Sequence, residues 1–323
     1  MSLTLSCAFA TSNMSHEHAR IAEELGYTRA WFYDSPSLYP DAWVQACRAA
    51  ERTQRIILGP GCLIPSLRHP ATNAAAIATL ASIAGPERVC VAFGSGFTGR
   101  LMLGERPMKW ADVAEYVRTV RGLLRGDQVQ WKGNTIQLMH PEGFGVPLPL
   151  EVSIVIGAAG PKGAEVAREV GDGVLCAPEA LPGFDWTILF QSGTVLDEGE
   201  DPGAERVIAA AGPGMTMVFH FLYEHGMLDL LPGGDAWAAA YEALDPATKH
   251  LAMHDRHLVA VTERDRPFIS GDVLAGSGMA MSPQELRDKL VGIEASGVTE
   301  IAYQPAGPDI PRELEAFAKA AQG

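Results

Sequence analysis

The chain has 323 residues, of which 47% are hydrophobic, and it carries a formal net charge of −14 at pH 7. Such an acidic surface repels nucleic acid and anionic membranes, so we expect neither as a partner. No segment approaches the roughly 20 apolar residues of a membrane helix, and residues 1–10 lack a signal-peptide pattern. The five cysteines are widely spaced, which indicates reduced thiols in a cytoplasmic protein.

Short apolar runs alternate with amphipathic stretches from the N-terminus onward. Eight runs predict strands at 3–10, 27–34, 55–61, 88–96, 151–157, 172–178, 186–196 and 298–305. Helical patterns occupy 15–26, 42–53, 70–85, 110–124, 160–170, 283–297 and 311–321. Buried parallel strands joined by helices predict a parallel sheet covered on both faces. Length and strand count favour an eight-stranded α/β (TIM) barrel, and a doubly wound open sheet is the alternative.

Two segments interrupt this alternation. Residues 128–149 carry alternating side chains around a Lys-Gly-Asn turn, which predicts a hairpin insertion. Residues 204–258 are rich in helical patterns and predict a helical insertion. Because we find no low-complexity linker, we predict that residues 1–323 form one barrel domain with these two insertions.

The C-terminal ends of the predicted strands are where a barrel of this kind places its active site. Several of these ends contain glycine, in the runs FYDSP, GPGCLIP, AFGSGFTGR, GAAGPKG and LCAPE, so a flat ligand can approach the backbone. None of the five offers a nucleophile beside a base, a G-x-S-x-G elbow, an H-E-x-x-H motif or an obvious carboxylate pair. This combination predicts a bound cofactor that performs the reaction itself.

The run IVIGAAGPKGAEVAREVGDGVLCAP, at 154–178, predicts a strand, a glycine-rich bend, a helix and a second strand. Free amides at the start of this helix, together with Lys162, would bind a phosphate. The glycines do not match G-x-G-x-x-G, and no acidic residue follows at the spacing that contacts a ribose, which disfavours a Rossmann site. A plain strand-to-helix turn with a solvated lysine is the other interpretation.

Residues 66–96 and 157–178, together with 281–305, resemble the bacterial luciferase-like superfamily. Within it they are most similar to the branch that uses the deazaflavin coenzyme F-420, such as the methylenetetrahydromethanopterin reductases. The resemblance implies an eight-stranded α/β barrel with an insertion region. It also implies that the cofactor phosphate lies at the loops after strands five and six. The matching positions are Gly160, Pro161, Lys162, Gly163, Cys176 and Ala177.

The resemblance further implies which positions surround the cofactor ring. A strand-three bulge with a non-prolyl cis peptide bond behind the ring corresponds to Gly61 and Cys62. An acid at the end of strand two, near the ring, corresponds to Asp34, which is therefore a candidate for both cofactor binding and catalysis. The strand-four end corresponds to Ser95 and Gly96.

Two positions depart from the family pattern. The deazaflavin-dependent sugar and alcohol dehydrogenases that the chain resembles carry a histidine directly after the strand-two acid and a glutamate after the strand-four glycines. This chain has Ser35 and Phe97 there. The proton-transfer residues of those dehydrogenases are therefore missing, so their substrates are not inferred.

The histidines form two groups. His250, His254 and His257 have spacings that share one helical face. Surface or capping positions are the favoured interpretation, a substrate pocket the second and a metal site the third. We predict no metal and take His254 as a second catalytic candidate. His220 and His225 are expected in the last turn of a helix, where histidine suits the dipole.

The sequence thus predicts a flavin- or deazaflavin-dependent oxidoreductase that moves a hydride to or from a small organic substrate. We favour F-420 over FMN, with Arg100 or Arg106 lining an exit for the anionic F-420 tail. The alternatives are an FMN-dependent monooxygenase supplied by a partner flavin reductase and a non-catalytic flavin-binding barrel. We also expect a homodimer.

Overall fold

The computed structural model describes residues 3–323 and contains a barrel of parallel strands. The strands are β1 (Thr4–Phe9), β2 (Arg29–Phe32), β3 (Ile57–Pro60), β4 (Cys90–Gly94), β5 (Val129–Trp131), β6 (Asn134–Ile136), β7 (Ser153–Ala158), β8 (Gly173–Cys176), β9 (Thr187–Ser192), β10 (Thr194–Val195), β11 (Ala280–Met281) and β12 (Glu300–Gln304). Eight of them form one sheet in the order β3-β2-β1-β12-β9-β8-β7-β4. Parallel bridges from Leu58 to Val89 and from Leu63 to Phe93 join its two edges. The predicted TIM barrel is therefore confirmed.

The helices cover the outside of this barrel or lie in the insertions. They are α1 (Ser15–Glu24), α2 (Ala42–Ala50), α3 (Pro70–Ala84), α4 (Phe97–Leu101), α5 (Trp110–Arg125), α6 (Pro161–Val170), α7 (Glu205–Glu224), α8 (Gly234–Glu242), α9 (Lys249–Met253), α10 (Gly271–Gly276), α11 (Pro283–Ala295) and α12 (Ile310–Gln322). Within residues 3–323, none of them is both long and apolar enough to cross a membrane.

Alternation along the strands separates two layers of core. On β2, Trp31 belongs to the buried cluster that also contains Ala8, Val155 and Ile188, whereas Phe32 packs into the larger cluster formed with the helices. Successive side chains of a strand point to opposite faces, so the first cluster fills the barrel and the second lies beneath the helices. With its interior filled by side chains, the barrel leaves room for a ligand at its strand ends.

The N-terminal end of the barrel is closed by a buried ion pair. Arg29, at the start of β2, bonds Glu300 at the start of β12. The indole nitrogen of Trp186 donates to the same carboxylate at 3.0 Å, and the Arg29 guanidinium lies 4.7 Å from the Trp186 ring centroid. This ion pair lies at the end of the barrel opposite the C-terminal strand ends, where the active sites of such barrels form.

Two segments stand outside the alternation of barrel strands and helices, one a hairpin and the other helical. The hairpin within 128–149 is formed by the antiparallel pair β5 and β6. The helical insertion, predicted to end near 258, continues through α10, because Ile269 and Leu274 still pack into the core of α7 and α8. The predicted strand 186–196 is divided into β9 and β10 by Gly193, whose φ of 115° favours glycine. That the whole chain is one domain stays a prediction.

Candidate functional site

A cavity of about 890 Å³ lies at the C-terminal ends of the barrel strands. The residues that follow or end the strands line it: Asp34 and Ser35 after β2, Gly61 and Cys62 after β3, Ser95 and Gly96 after β4, Ala159 and Gly160 after β7, Ala177 and Pro178 after β8, and Gln304 in β12. This is the end at which barrels of this kind place their active sites. Its size falls within the range of small-molecule and cofactor sites.

Backbone and glycine form the base of this cavity. The peptide bond between Gly61 and Cys62 is cis, as the resemblance implies. A Cβ added at Gly61 would lie 2.7 Å from the ring of Trp31, and one at Gly157 would lie 2.3 Å from the sulfur of Cys62. Neither position accepts a side chain without displacement of a neighbour, so the close packing of this base requires glycine at both.

Asp34 lies beside this base and is almost completely buried, with a relative exposure of 3%. One guanidinium nitrogen of Arg68 donates to both of its carboxylate oxygens, at 2.6 and 2.8 Å, and the backbone N–H of Ile64 donates at 3.4 Å. Burial raises the pKa of Asp34, and the hydrogen bonds and charge of Arg68 oppose that rise. The site therefore contains a carboxyl group that is desolvated and held by the Arg68 cation.

The predicted phosphate segment is only partly directed at the cavity. Gly160 lines it, and a Cβ added there would meet no heavy atom within 4 Å, so space is open at this position. Pro161 begins α6, and Lys162 lines a second, smaller cleft. A Cβ added at Gly163 would lie 2.7 Å from the Trp110 ring, so Gly163 serves helix packing.

On the neighbouring loop, Ala177 lines the cavity whereas Cys176 is fully buried in the core behind it. The structure thus brings together seven of the predicted positions: Asp34, Gly61, Cys62, Ser95, Gly96, Gly160 and Ala177. Pro161, Lys162, Gly163 and Cys176 do not line the cavity. Cys176 points away from the cavity because side chains alternate along β8. Lys162 points away from it because of its position around the axis of α6.

One side of the cavity is formed by the helical insertion, and of this side the sequence suggested only His257, through the substrate-pocket alternative. This side consists of Met217, His220, Phe221, His225, Met227, His257 and Leu258. The His225 ring stacks on Phe221 at 4.2 Å between centroids and on Phe97 at 5.9 Å. Phe97 is therefore part of an aromatic stack, at the position where the dehydrogenases that the chain resembles carry a glutamate.

The structure places three histidines in the interior, where the sequence analysis favoured surface or capping positions for two of them, His254 and His257. His220 lies near the C-terminal end of α7 and is buried, with an exposure of 2%. His254 and His257 are also buried, rather than on the surface, with His257 beyond the end of α9. The three ring centroids are separated by 5.2 to 5.4 Å. They come together because His220 faces inward on α7 and the turn after α9 packs against it. The sequence predicted no contact between these two segments.

Burial also keeps these imidazoles neutral. Desolvation, followed by the charge of neighbouring histidines, places the pKa of His220 well below the ordinary value. Desolvation and the neighbouring His254 lower the pKa of His257 to about 3. His220 and His257 line the cavity, whereas the predicted catalytic residue His254 lies behind them.

No lysine or arginine lines the cavity among the described residues 3–323. Arg100, predicted at an exit for an anionic tail, instead donates to the backbone oxygen of Arg106 at 2.6 Å and pairs with Glu105 at 2.8 Å. Glu179 and Asp34 contribute acidic side chains to the lining. An anionic ligand group at this site would therefore be bound mainly by backbone amides and hydroxyl groups.

Comparison with known proteins places this site in a family. The 5,10-methylenetetrahydromethanopterin reductase of Archaeoglobus fulgidus is 28% identical, over 94% of this chain and 92% of that protein. The F-420-dependent glucose-6-phosphate dehydrogenase of Amycolatopsis mediterranei is 32% identical, over 50% of this chain and 52% of its own length.

Among solved structures, the coenzyme F-420-dependent tetrahydromethanopterin reductase from Methanopyrus kandleri has the same fold. It superposes with a TM-score of 0.67 over 99% of this chain and 98% of its own, at 19% identity. The family model described as luciferase-like monooxygenase matches residues 13–300, which is most of the chain. The chain therefore belongs to the luciferase-like monooxygenase family.

Proposed function

We propose that this protein is an oxidoreductase that binds coenzyme F-420 and moves a hydride to or from a small organic substrate. The observation that carries the proposal is the glycine-based floor of a cofactor-sized cavity, at the strand ends of a luciferase-like barrel. When bound, the coenzyme supplies the hydride chemistry, and the protein supplies position, exclusion of water and a proton route.

The residues of the cavity fit a tricyclic ring with a phosphate. Gly61, Cys62 and Gly157 line the base of the cavity, where the two glycines leave backbone that can contact one face of the ring. Gly160 gives α6 no side-chain cap, so the free amides at the start of this ten-residue helix can hold a phosphate. Lys162 faces the other cleft and takes no part in this arrangement.

Asp34 remains the proposed catalytic residue. Burial raises its pKa, which is how proteins adapt a carboxyl group to hold or release a proton near neutral pH. Arg68 fixes its orientation through two hydrogen bonds. His254, the second candidate, does not line the cavity, so any effect it has on the reaction passes through His220 or His257.

The choice of F-420 over FMN is supported by the names of the relatives above, two of which are F-420-dependent proteins. FMN ends at its phosphate and needs only the compact pocket. An FMN-dependent monooxygenase that takes reduced flavin from a partner reductase is thus the second candidate, favoured by the lack of a lysine or arginine in the described lining. Ser35 and Phe97 motivate a third, the non-catalytic flavin-binding barrel.

The substrate proposed is a small organic molecule with apolar character. Phe97, Phe190, Phe221, Met217 and Met227 all contribute to the lining, and such apolar walls bind apolar groups by the hydrophobic effect. We also propose a cytoplasmic location, because the five separate cysteines indicate reduced thiols, and we propose a homodimer.

The proposal is tested by titrating the purified chain with F-420 and, separately, with FMN while following fluorescence and thermal shift. We expect F-420 to bind at least tenfold more tightly, about 1.4 kcal/mol. Tight FMN binding with F-420 tenfold weaker would overturn the deazaflavin assignment and favour the monooxygenase. If neither binds, the oxidoreductase proposal itself is wrong.

A further inference from the structure

We propose that His220, His254 and His257 form a binding site for a divalent transition-metal ion of the zinc class on the wall of the cavity. The three side chains are buried, and one ring nitrogen of each lies within 4.8 Å of the others. The site does not depend on the proposed function, because none of the three residues belongs to the proposed flavin contacts. It departs from the sequence-based expectation that the protein holds no metal.

The first argument is the state of His220. Both of its ring nitrogens are buried and have no hydrogen-bond partner among the described residues. A buried polar atom without a partner costs free energy, so native structures rarely keep one unless a ligand, ion or water satisfies it. His220 has two such atoms, and it faces two further imidazoles and the cavity.

The second argument is the orientation of His254. Its Nδ1 donates to the backbone carbonyl of His250 at 2.9 Å. This bond fixes the tautomer and leaves the lone pair on Nε2, which is the arrangement that metal-binding histidines adopt. The sequence suggested that His254 lies on a helix surface. A histidine there would gain nothing from such a bond.

The third argument concerns the donor set. Three neutral imidazoles without a carboxylate suit zinc, and catalytic zinc sites keep three protein ligands with a fourth position open. His220 and His257 line the cavity, so the open position would face it and hold a water or a substrate oxygen. Zinc–nitrogen bonds of about 2.05 Å require nitrogens roughly 3.4 Å apart, so the rings would approach one another by at most about 1.4 Å on binding.

The site is tested on the full chain after treatment with a chelator and removal of any affinity tag. Zinc is titrated by calorimetry, and cobalt is added separately to read the coordination geometry from its visible spectrum. We expect one ion per chain with micromolar or tighter affinity and the intense visible bands of a tetrahedral cobalt site. Absence of stoichiometric binding, or an octahedral cobalt spectrum, would overturn the proposal.

Matched variants assign the ligands. His220→Phe keeps an aromatic ring and removes both nitrogens, so zinc affinity should fall by more than about 100-fold, with the same result for His257→Phe. His225→Ala is the control, because His225 lines the same cavity from the end of the same helix without joining the cluster. Equal affinity in His220→Phe and the unaltered chain would contradict the assignment. Without metal, the melting temperature of His220→Phe should be no lower than that of the unaltered chain. This measurement separates the loss of a ligand from misfolding.

Discussion

Arg68→Met is the substitution for which the structure gives the sharpest expectation. It removes the cation that contacts Asp34 and keeps most of the aliphatic stem of the arginine. The Asp34 side chain is 1% exposed and the Arg68 side chain 14% exposed, so the pair lies within the protein. Of the hydrogen bonds described above, the substitution would leave the buried carboxylate only the long 3.4 Å bond from Ile64.

The magnitude follows from the burial of the pair. Removing one partner of a buried ion pair costs about 3–5 kcal/mol, since the remaining charge loses its compensation. Arg68 also bonds the half-exposed Asp41 at 2.7 Å, and loss of such a contact adds at most about 1 kcal/mol. We therefore expect the free energy of unfolding to fall by roughly 3–5 kcal/mol near neutral pH.

The loss should depend on pH in a defined direction. Burial raises the pKa of Asp34 in the folded chain, and Arg68 opposes the rise, so the variant has a still higher folded-state pKa. A raised acid pKa means that the folded state retains a proton that the unfolded state releases. Stability then falls as pH rises from the unfolded pKa through the folded one. The loss should therefore be smaller at about pH 5 than at about pH 8.

Urea unfolding followed by tryptophan fluorescence measures this loss at both pH values. Arg125→Met is the control, because Arg125 and Asp127 form an exposed pair at 2.8 Å whose loss should cost less than about 1 kcal/mol. In the double variant Arg68→Met with Asp34→Asn, the neutral amide should recover much of the stability. Equal losses for Arg68→Met and Arg125→Met, or a loss independent of pH, would refute the reasoning.

Three further predictions concern the floor of the cavity and the phosphate loop. Gly160→Asp should weaken F-420 or FMN binding by more than about tenfold, because it places a negative charge where the phosphate would bind. Lys162→Ala is the control and should change binding less than about twofold. Equal effects of the two substitutions in a fluorescence titration would contradict the proposed phosphate site. Gly157→Ala places a Cβ 2.3 Å from the Cys62 sulfur and should cost about 1–3 kcal/mol in urea unfolding, a loss that a Cys62→Ala background should relieve rather than add to. Burial, with a smaller contribution from Asp34, raises the pKa of Cys62 to about 12. Native-state alkylation near neutral pH, followed by peptide mass spectrometry, should thus be more than about 100-fold slower than in urea, and rapid labelling would disprove it.

The barrel and the strand-end part of the site were predictable because their signals are local. Each strand is a short apolar run, and the residue that follows it lies at one end of the barrel wherever the strand sits. Asp34, Ser95 and Gly96 reach the cavity for this reason. The strand-three end was found in the same way, in the run GPGCLIP, and only its cis peptide bond between Gly61 and Cys62 was predicted by resemblance.

The other half of the site has no such local signal. His220 and His257 belong to different segments of the insertion, 37 positions apart by their numbering, and they meet only because α7 packs against the turn after α9. The same limit explains why the sequence placed Lys162 at the phosphate although it does not line the cavity. Its sequence neighbours indicate a phosphate loop, but the helical phase that turns it toward Glu165 and Glu169 is fixed by how α6 packs on the barrel.

The two departures from the family pattern and the histidine cluster fit one explanation. Phe97 replaces an acid with an aromatic ring that stacks on His225, and Ser35 replaces an imidazole with a small hydroxyl group. Both positions lack a titratable side chain in this protein, whereas His220 and His257 supply two on the insertion. The insertion wall thus offers His220 and His257 as additional groups that can contact a substrate. A substrate oxygen would then be held from the insertion side, with Asp34 and Glu179 as the acids at the strand ends of the barrel.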